Sequence, residues 1–435
     1  MKNIKFLYRL IVLICLSVII SGCGNSDNNG DGTITLEWMT DETRGAAVDF
    51  IKEDIIAPYE RENPGVKIKL IINSNSVDQH RQQLAAGAGS DIISVDGPMT
   101  LKRFARSGYL LPLDEYSTKY EWDNRFADWA YETGIYDGKL YGLPKELEAL
   151  VVWYNKDLFK EKGWEVPGNL QELNALNDAI QAEGLIPFAF GSASYKAANE
   201  WWLSVVYNAY LGSDYFEEIL EGNRPWTDEK VEEATDIWAN MWSSGYISDK
   251  QSQAISSDEA RALFDSQKAV MMLEGTWALA TLEGEERPFE YDFFVMPAWG
   301  EGIETNLPLA IGESTAINAK TKHPEESADF LDWYYSMEVS EGLAEHGKVN
   351  PLKELDVSKM DLSPMIKKVF NEIDTYSDNN MVGYASWTYW PPKVQYYLWD
   401  NIEALFMGQL STKEYLENAQ KSMEEDKKDD MLHDF

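Results

Sequence analysis

Ile34-Thr35-Leu36-Glu37-Trp38, then Val66-Lys67-Ile68-Lys69-Leu70-Ile71-Ile72, then Ile92-Ile93-Ser94-Val95, are the three runs that decide the fold. Ile34, Leu36 and Trp38 alternate with polar side chains, as in a strand with one face buried. Val66 to Ile72 is rich in β-branched residues, and Ile92–Val95 reads as a buried strand. Between the first two runs, Val48, Ile51, Ile55, Ile56 and Tyr59 recur at helical spacing within 43–61, until Asn63-Pro64-Gly65 breaks the helix. A second helix through Arg81–Ala86 ends near Gly87 and Gly89. Strands that alternate with helices pair in parallel, so the expected fold class is α/β. Loops at the carboxyl ends of such strands line a ligand crevice. Asp41 and Glu42 after the first strand, and Asp96 after the third, are therefore candidate ligand contacts, although such carboxylates also serve as helix caps and turn residues.

Further strands are expected at Leu150–Trp153, Ala269–Leu273, Phe293–Met296 and Thr315–Ile317, and helices over 170–183, 200–211, 228–244, 324–337, 363–372 and 393–407. From Glu424 the chain alternates blocks of charge and reads as a polar, solvated tail, 424–435. At the other end, Lys2, Lys5 and Arg9 precede an apolar stretch, Leu10 to Ile20, broken only by Ser17. A charged region, a short apolar region and small residues form an export signal, expected over 1–22. A spanning helix needs about 20 apolar residues, so this stretch is too short to cross a bilayer permanently. Ile20-Ser21-Gly22-Cys23 resembles a bacterial lipobox, which implies lipidation at Cys23 and a flexible linker over 23–33.

Composition narrows the function. The chain has 435 residues and a formal charge of −36, a field that repels nucleic acid and anionic headgroups. That charge also argues against a polyanionic ligand unless a local basic pocket overrides it. Cys15 is the other cysteine and lies inside the signal, so no disulfide and no cysteine metal site is expected. Asp27, Asn29, Asp31 and Gly32 imitate the start of a calcium loop, but its twelfth position is Trp38 rather than Glu, and no metal is expected. His80, His323, His346 and His433 are scattered, and no zinc motif, nucleophile elbow or phosphate loop occurs. No cofactor is expected.

Two segments carry a family resemblance. One is Gly138-Lys139-Leu140-Tyr141-Gly142-Leu143-Pro144, continuing through Glu148-Ala149-Leu150 to Tyr154-Asn155-Lys156-Asp157-Leu158. The other runs from Phe264 to Trp277 and contains Lys268-Ala269-Val270-Met271-Met272 and Glu274-Gly275-Thr276-Trp277. Gly89-Ser90-Asp91-Ile92-Ile93, Ala105-Arg106-Ser107-Gly108, Ala316-Ile317-Asn318-Ala319 and Asn418-Ala419-Gln420 support them in the same order. From about residue 34 to about 423 the chain resembles the extracellular solute-binding proteins of sugar ABC transporters, the family of maltose-binding protein. The resemblance implies a two-lobe periplasmic-binding-protein-like fold of the class II type, joined by crossing strands, with ligand in the cleft. It implies one lobe at 34–143 plus 300–352 and the other at 144–299 plus 353–423. It further implies a carbohydrate ligand, permease subunits in the membrane as partners, a location on the outer face of the cell membrane, and a monomer.

Sugars offer hydroxyls to carboxylates and C–H faces to flat rings. The chain holds 16 Trp and 23 Tyr, so the question is which of them face the cleft. The resemblance picks Glu148, with Glu146 as the neighbouring alternative, and Trp277. In Glu200-Trp201-Trp202 the expectation is that Trp202 faces the cleft and Trp201 the core. In Trp387-Thr388-Tyr389-Trp390-Pro391-Pro392, Trp387 and Trp390 are both candidates, because the spacing departs from that of maltose-binding protein. Two other functions stay open at this level: a glycan-active enzyme, which would need paired carboxylates, and a sensing or adhesion lipoprotein on the same fold.

Overall fold

The computed structural model describes residues 32–432 apart from 41, 43, 44, 74, 75 and 285. The expected signal, Cys23 and Asp41 lie outside the described residues.

Two sheets organise the chain. The first has the order β2 (Val66–Ile72), β1 (Ile34–Thr40), β3 (Ile92–Asp96), β12 (Glu313–Ile317), β6 (Gly142–Pro144). As the βα rhythm requires, β1 pairs in parallel with β2 from Ile34↔Val66 to Thr40↔Ile72, and in parallel with β3. The sheet is covered on both faces. Leu36, Trp38 and Ile92 join one apolar cluster, with Tyr59 and Phe330, while Ile93 and Val95 join another, with Leu101 and Phe104. This is the alternation of a strand buried on both sides.

The second sheet has the order β13 (Val382–Tyr384), β11 (Leu307–Ile311), β7 (Leu147–Asn155), β9 (Ala269–Gly275), β8 (Ile186–Ala189), with β10 (Tyr291–Phe294) also on β7. Along β7, Leu150 and Val152 enter the cluster that holds Trp202 and Trp390, while Ala149, Val151 and Trp153 enter the cluster on the opposite face. Here the pairing of β7 with β9, β10 and β11 is antiparallel. A further short ribbon pairs β4 (Ile135–Tyr136) with β5 (Lys139–Leu140).

The antiparallel pairs β7–β11 and β6–β12 follow from how the sheets are joined. The chain passes from β6 to β7 through Lys145-Glu146, and returns from β11 to β12 through Gly312. These two crossings run side by side in opposite directions. Ala310 faces Glu148 and Ser314 faces Pro144, while Lys145 N–H donates to the Glu313 carbonyl (2.8 Å) and Gly312 N–H to the Glu146 carbonyl (2.9 Å). Placing 300–311 with the first lobe therefore meets a correction. Leu307–Ile311 belongs to the second sheet, and the crossing falls at Gly312.

Helices stand close to where periodicity puts them, at Leu170–Ala182, Asn199–Leu211, Glu229–Ser243, Pro324–Tyr334, Pro364–Asp378 and Pro392–Phe406. The tail is a second correction. The helix Thr412–Lys428 runs into it, and Asp426 is fully buried. Asp426 Oδ2 accepts from the backbone N–H groups of Lys393 (2.9 Å) and Val394 (3.1 Å), capping the helix Pro392–Phe406. The N–H groups of a first helical turn lack partners within their own helix, so a distant carboxylate can be drawn in to satisfy them.

Candidate ligand cleft

A cavity of about 300 Å³ opens where the two crossings leave the sheets; its walls come from both lobes and include Glu42, Asp96, Glu148, Glu200, Trp201, Trp277 and Trp387. A second cavity of about 610 Å³ adjoins it and shares Asp96, Tyr195, Glu200 and Trp387, so the two form one groove. The lobes touch across the groove: the Tyr195 hydroxyl, on the second lobe, donates to Asp96 Oδ2 at 3.4 Å. Helix Gly97–Arg106 begins against the second lobe. Gly97 has a φ of +61°, and a Cβ there would overlap the Trp387 carbonyl oxygen, so the lobe contact requires glycine.

Strand geometry places the acids. Glu148 shares the parity of Leu150 and Val152 on β7, so its side chain leaves the sheet on the face that carries Trp201 and Trp387. It fits only because position 312 is glycine; a Cβ on Gly312 would occupy the place of the Glu148 carboxylate. Among the described residues the Glu148 carboxyl group has no hydrogen-bonding or ion-paired partner. Its neighbours are engaged. Lys348 Nζ lies 3.3 Å from Glu42 Oε2 and 3.3 Å from Glu146 Oε2, and Lys145 pairs with Glu313. Glu200 accepts from Ser386 Oγ (2.8 Å) and Gln395 Nε2 (2.7 Å).

This crowding changes proton affinities. Burial pushes Asp96 up to about 7; the Glu313 charge adds to it, and the Tyr195 hydroxyl and Lys145 oppose it. Burial likewise pushes Glu200 up to about 8. Glu148 is raised well above the carboxylate range by burial and then by the Glu146 charge. A carboxyl group that keeps its proton near neutrality can donate a hydrogen bond as well as accept one.

The aromatic wall is built from three indoles. Trp277 lies 5.0 Å from Trp201 and 5.9 Å from Trp387 between ring centroids. Trp277 Nε1 donates to Glu274 Oε1 at 3.0 Å, and Glu274, itself buried, is gripped by Arg261. The carboxylate thus fixes the ring plane from behind.

The structure gathers Glu42, Asp96, Glu148, Trp277 and Trp387 around one cavity. Trp202 and Trp390 stand elsewhere. Trp202 is fully buried, edge-on to Phe188 at 5.2 Å, and Trp201 takes the cavity in its place. Trp202 is turned about 200° around the helix from Glu200, which also lines the cavity. Trp390 is fully buried against Phe216 (5.2 Å), Trp226 (5.4 Å) and Tyr207 (5.8 Å). Reading the sequence missed Tyr195, Asp258, Arg261, Glu313 and Lys348. Lys348 stands some 200 residues along the chain from Glu146, and no local pattern marks that pairing.

A two-lobe α/β molecule with a polar, tryptophan-walled cleft at its strand crossings has the architecture of a solute receptor. The chain belongs to the bacterial extracellular solute-binding protein family, whose profile matches residues 41–341. It is 24% identical over 341 residues to the multiple sugar-binding protein of Streptococcus mutans, covering 77% of this chain and 79% of that one. With the maltodextrin-binding protein of Bacillus subtilis it shares 25% identity over 354 residues, 75% of each chain. Among solved structures, a chitin oligosaccharide binding protein superposes with a TM-score of 0.80 at 22% identity, over 90% of this chain and 98% of that one. The maltose/maltodextrin-binding domain of Bdellovibrio bacteriovorus bound to maltotriose gives 0.72 at 18% identity, over 91% of this chain and all of that one. These superpositions carry the fold.

Proposed function

We propose that this protein is the carbohydrate-capturing component of an ABC importer, held at the outer face of the cell membrane by lipid on Cys23 and handing an oligosaccharide to membrane permease subunits. One observation carries the reading: an indole wall, Trp201, Trp277 and Trp387, shares a cavity with carboxyl groups, Glu42, Asp96, Glu148 and Glu200. Flat rings cover the C–H face of a pyranose, and carboxyl groups meet its hydroxyls. A groove of two adjoining cavities suits more than one sugar unit. The names of the sugar-binding relatives support the same class of ligand.

Capture works through the crossings. A ligand touching Trp277 on one lobe and Asp96 on the other gains both contacts only when the lobes are together. Binding therefore shifts the population toward the closed form, which a permease can distinguish. The protein acts as a binder, not a catalyst, and the sugar leaves the cleft unchanged.

A thermal-shift screen of the purified chain against mono- and oligosaccharides tests this, because a ligand that binds only the folded state raises the melting temperature. The expected result is a rise with an oligosaccharide that chromatography then recovers intact. Recovery of shorter sugars, or a panel with no rise at all, would overturn the reading.

A further inference from the structure

The second cavity has a character that the first lacks. Besides Tyr396, Trp399 and the shared Asp96 and Glu200, it is lined by Arg81, Arg103 and Lys196. Acidic side chains number 74 in this chain against 38 basic ones, so a cation meets carboxylates almost wherever it points. Yet among the described residues Arg103 and Lys196 form no ion pair, although Asp400 lines the same cavity. Arg103 is held in place by Tyr396 instead: its guanidinium carbon lies 5.0 Å from the ring centre, and the guanidinium donates a hydrogen bond to the hydroxyl. A guanidinium carries five N–H donors, so a single bond to the Tyr396 hydroxyl leaves others for a ligand. The two acids nearby, half-buried Asp96 and buried Glu200, are engaged, Asp96 by Tyr195 and Glu200 by Ser386 and Gln395. Burial also holds both above the ordinary carboxylate range, which lowers the negative charge they offer to the cations.

We propose that the second cavity is a subsite for an acidic sugar unit, with Arg103 and Lys196 receiving the carboxylate of a uronic acid at one end of an oligosaccharide whose neutral part lies along the tryptophan wall. This rests on the carbohydrate reading of the cleft. The net charge of −36 does not forbid it, because exposed charges beyond about 8 Å are largely screened at physiological salt and the nearest charges decide. A guanidinium edge also matches a planar carboxylate through two parallel hydrogen bonds.

Isothermal titration of the full chain with glucuronate-terminated oligosaccharides, sulfated ones and neutral ones of equal length tests the proposal. The uronate sugars are expected to bind at least tenfold tighter than the neutral ones, with an advantage that shrinks as salt is added. R103Q and K196Q should lower affinity for the uronate sugar at least tenfold more than for the neutral one, and R103K should recover only part of the loss. Equal or tighter binding of neutral sugars, or an advantage untouched by both substitutions, overturns the acidic subsite and leaves the carbohydrate reading standing. A preference for sulfated over uronate sugars overturns the carboxylate assignment. Failure of every sugar, neutral and acidic, overturns both.

Discussion

Trp201, Trp277 and Trp387 line the cleft, while Trp202, Trp226 and Trp390 fill the core behind it, and the two groups differ in surroundings rather than in residue type. In the core group each indole packs against other rings, as Trp390 does against Phe216, Trp226 and Tyr207. In the cleft group Trp277 is oriented by a hydrogen bond to a buried carboxylate that Arg261 neutralises. Packing alone is enough to hold a core side chain. Trp277 has a polar anchor as well; Trp387 has none among the described residues, its indole N–H being buried without a hydrogen-bonding partner. The contrast predicts that substitutions behind the wall cost stability, and substitutions in the wall cost affinity.

The largest effect is expected at Trp390. Truncating a fully buried aromatic costs about 3–5 kcal/mol, so Trp390→Ala should lower the urea midpoint sharply, while the molecules that remain folded bind sugar as the parent does. An unchanged midpoint would erase the distinction between the two groups. Next comes Glu148. Glu148→Ala leaves a buried ligand hydroxyl without its partner, which costs about 1–3 kcal/mol, roughly 5- to 150-fold in affinity, with little change in melting temperature. Gly312→Ala should give a comparable loss by displacing the same carboxylate, and titration calorimetry of both variants checks whether the glycine serves that side chain. Trp277→Ala should weaken binding by about 1–2 kcal/mol, the range of a truncated contact aromatic; a fall in stability without a fall in affinity would move Trp277 into the core group.

The smallest effect concerns Glu200. Its folded value is raised from 4.5 to about 8 by burial, so the folded state holds the proton more tightly than the unfolded chain. The stabilisation is full below the unfolded value and is lost as pH rises through the folded one. Glu200→Gln removes that loss. Melting curves from pH 5 to 9 should show the variant gaining on the parent as pH rises, and a constant difference would place the carboxyl group in solvent.

Several features of the cleft were legible in local pattern. Alternation and β-branching located β1, β2 and β3, and the rule that crevices lie beyond strand ends found Glu42 and Asp96, because both depend on a few consecutive residues. Glu148 and Trp277 were reached through ordered resemblance around β7 and β9. The failures share a cause. Trp201 and Trp202 are adjacent and chemically identical, and a rotation of about 100° per residue decides which one meets the cavity. Asp426 sits in a run of alternating charge that reads as solvated, and only the approach of the helix Pro392–Phe406 makes it a buried cap. Leu307–Ile311 looks like its neighbours in sequence, but its partner β7 lies about 160 residues away and assigns it to the second sheet.

The sequence by itself determined the α/β class, most of the helices, and the acids at strand ends, since each rests on periodicity or on residues close in the chain. Tertiary structure alone decided which tryptophans face the cleft, which lysine pairs with Glu42 and Glu146, and which cations line the second cavity. Those outcomes depend on surfaces brought together from opposite ends of the chain. A side chain's burial and charge state are set by the neighbours that folding supplies, and the same Trp or Glu becomes core or cleft according to what closes over it.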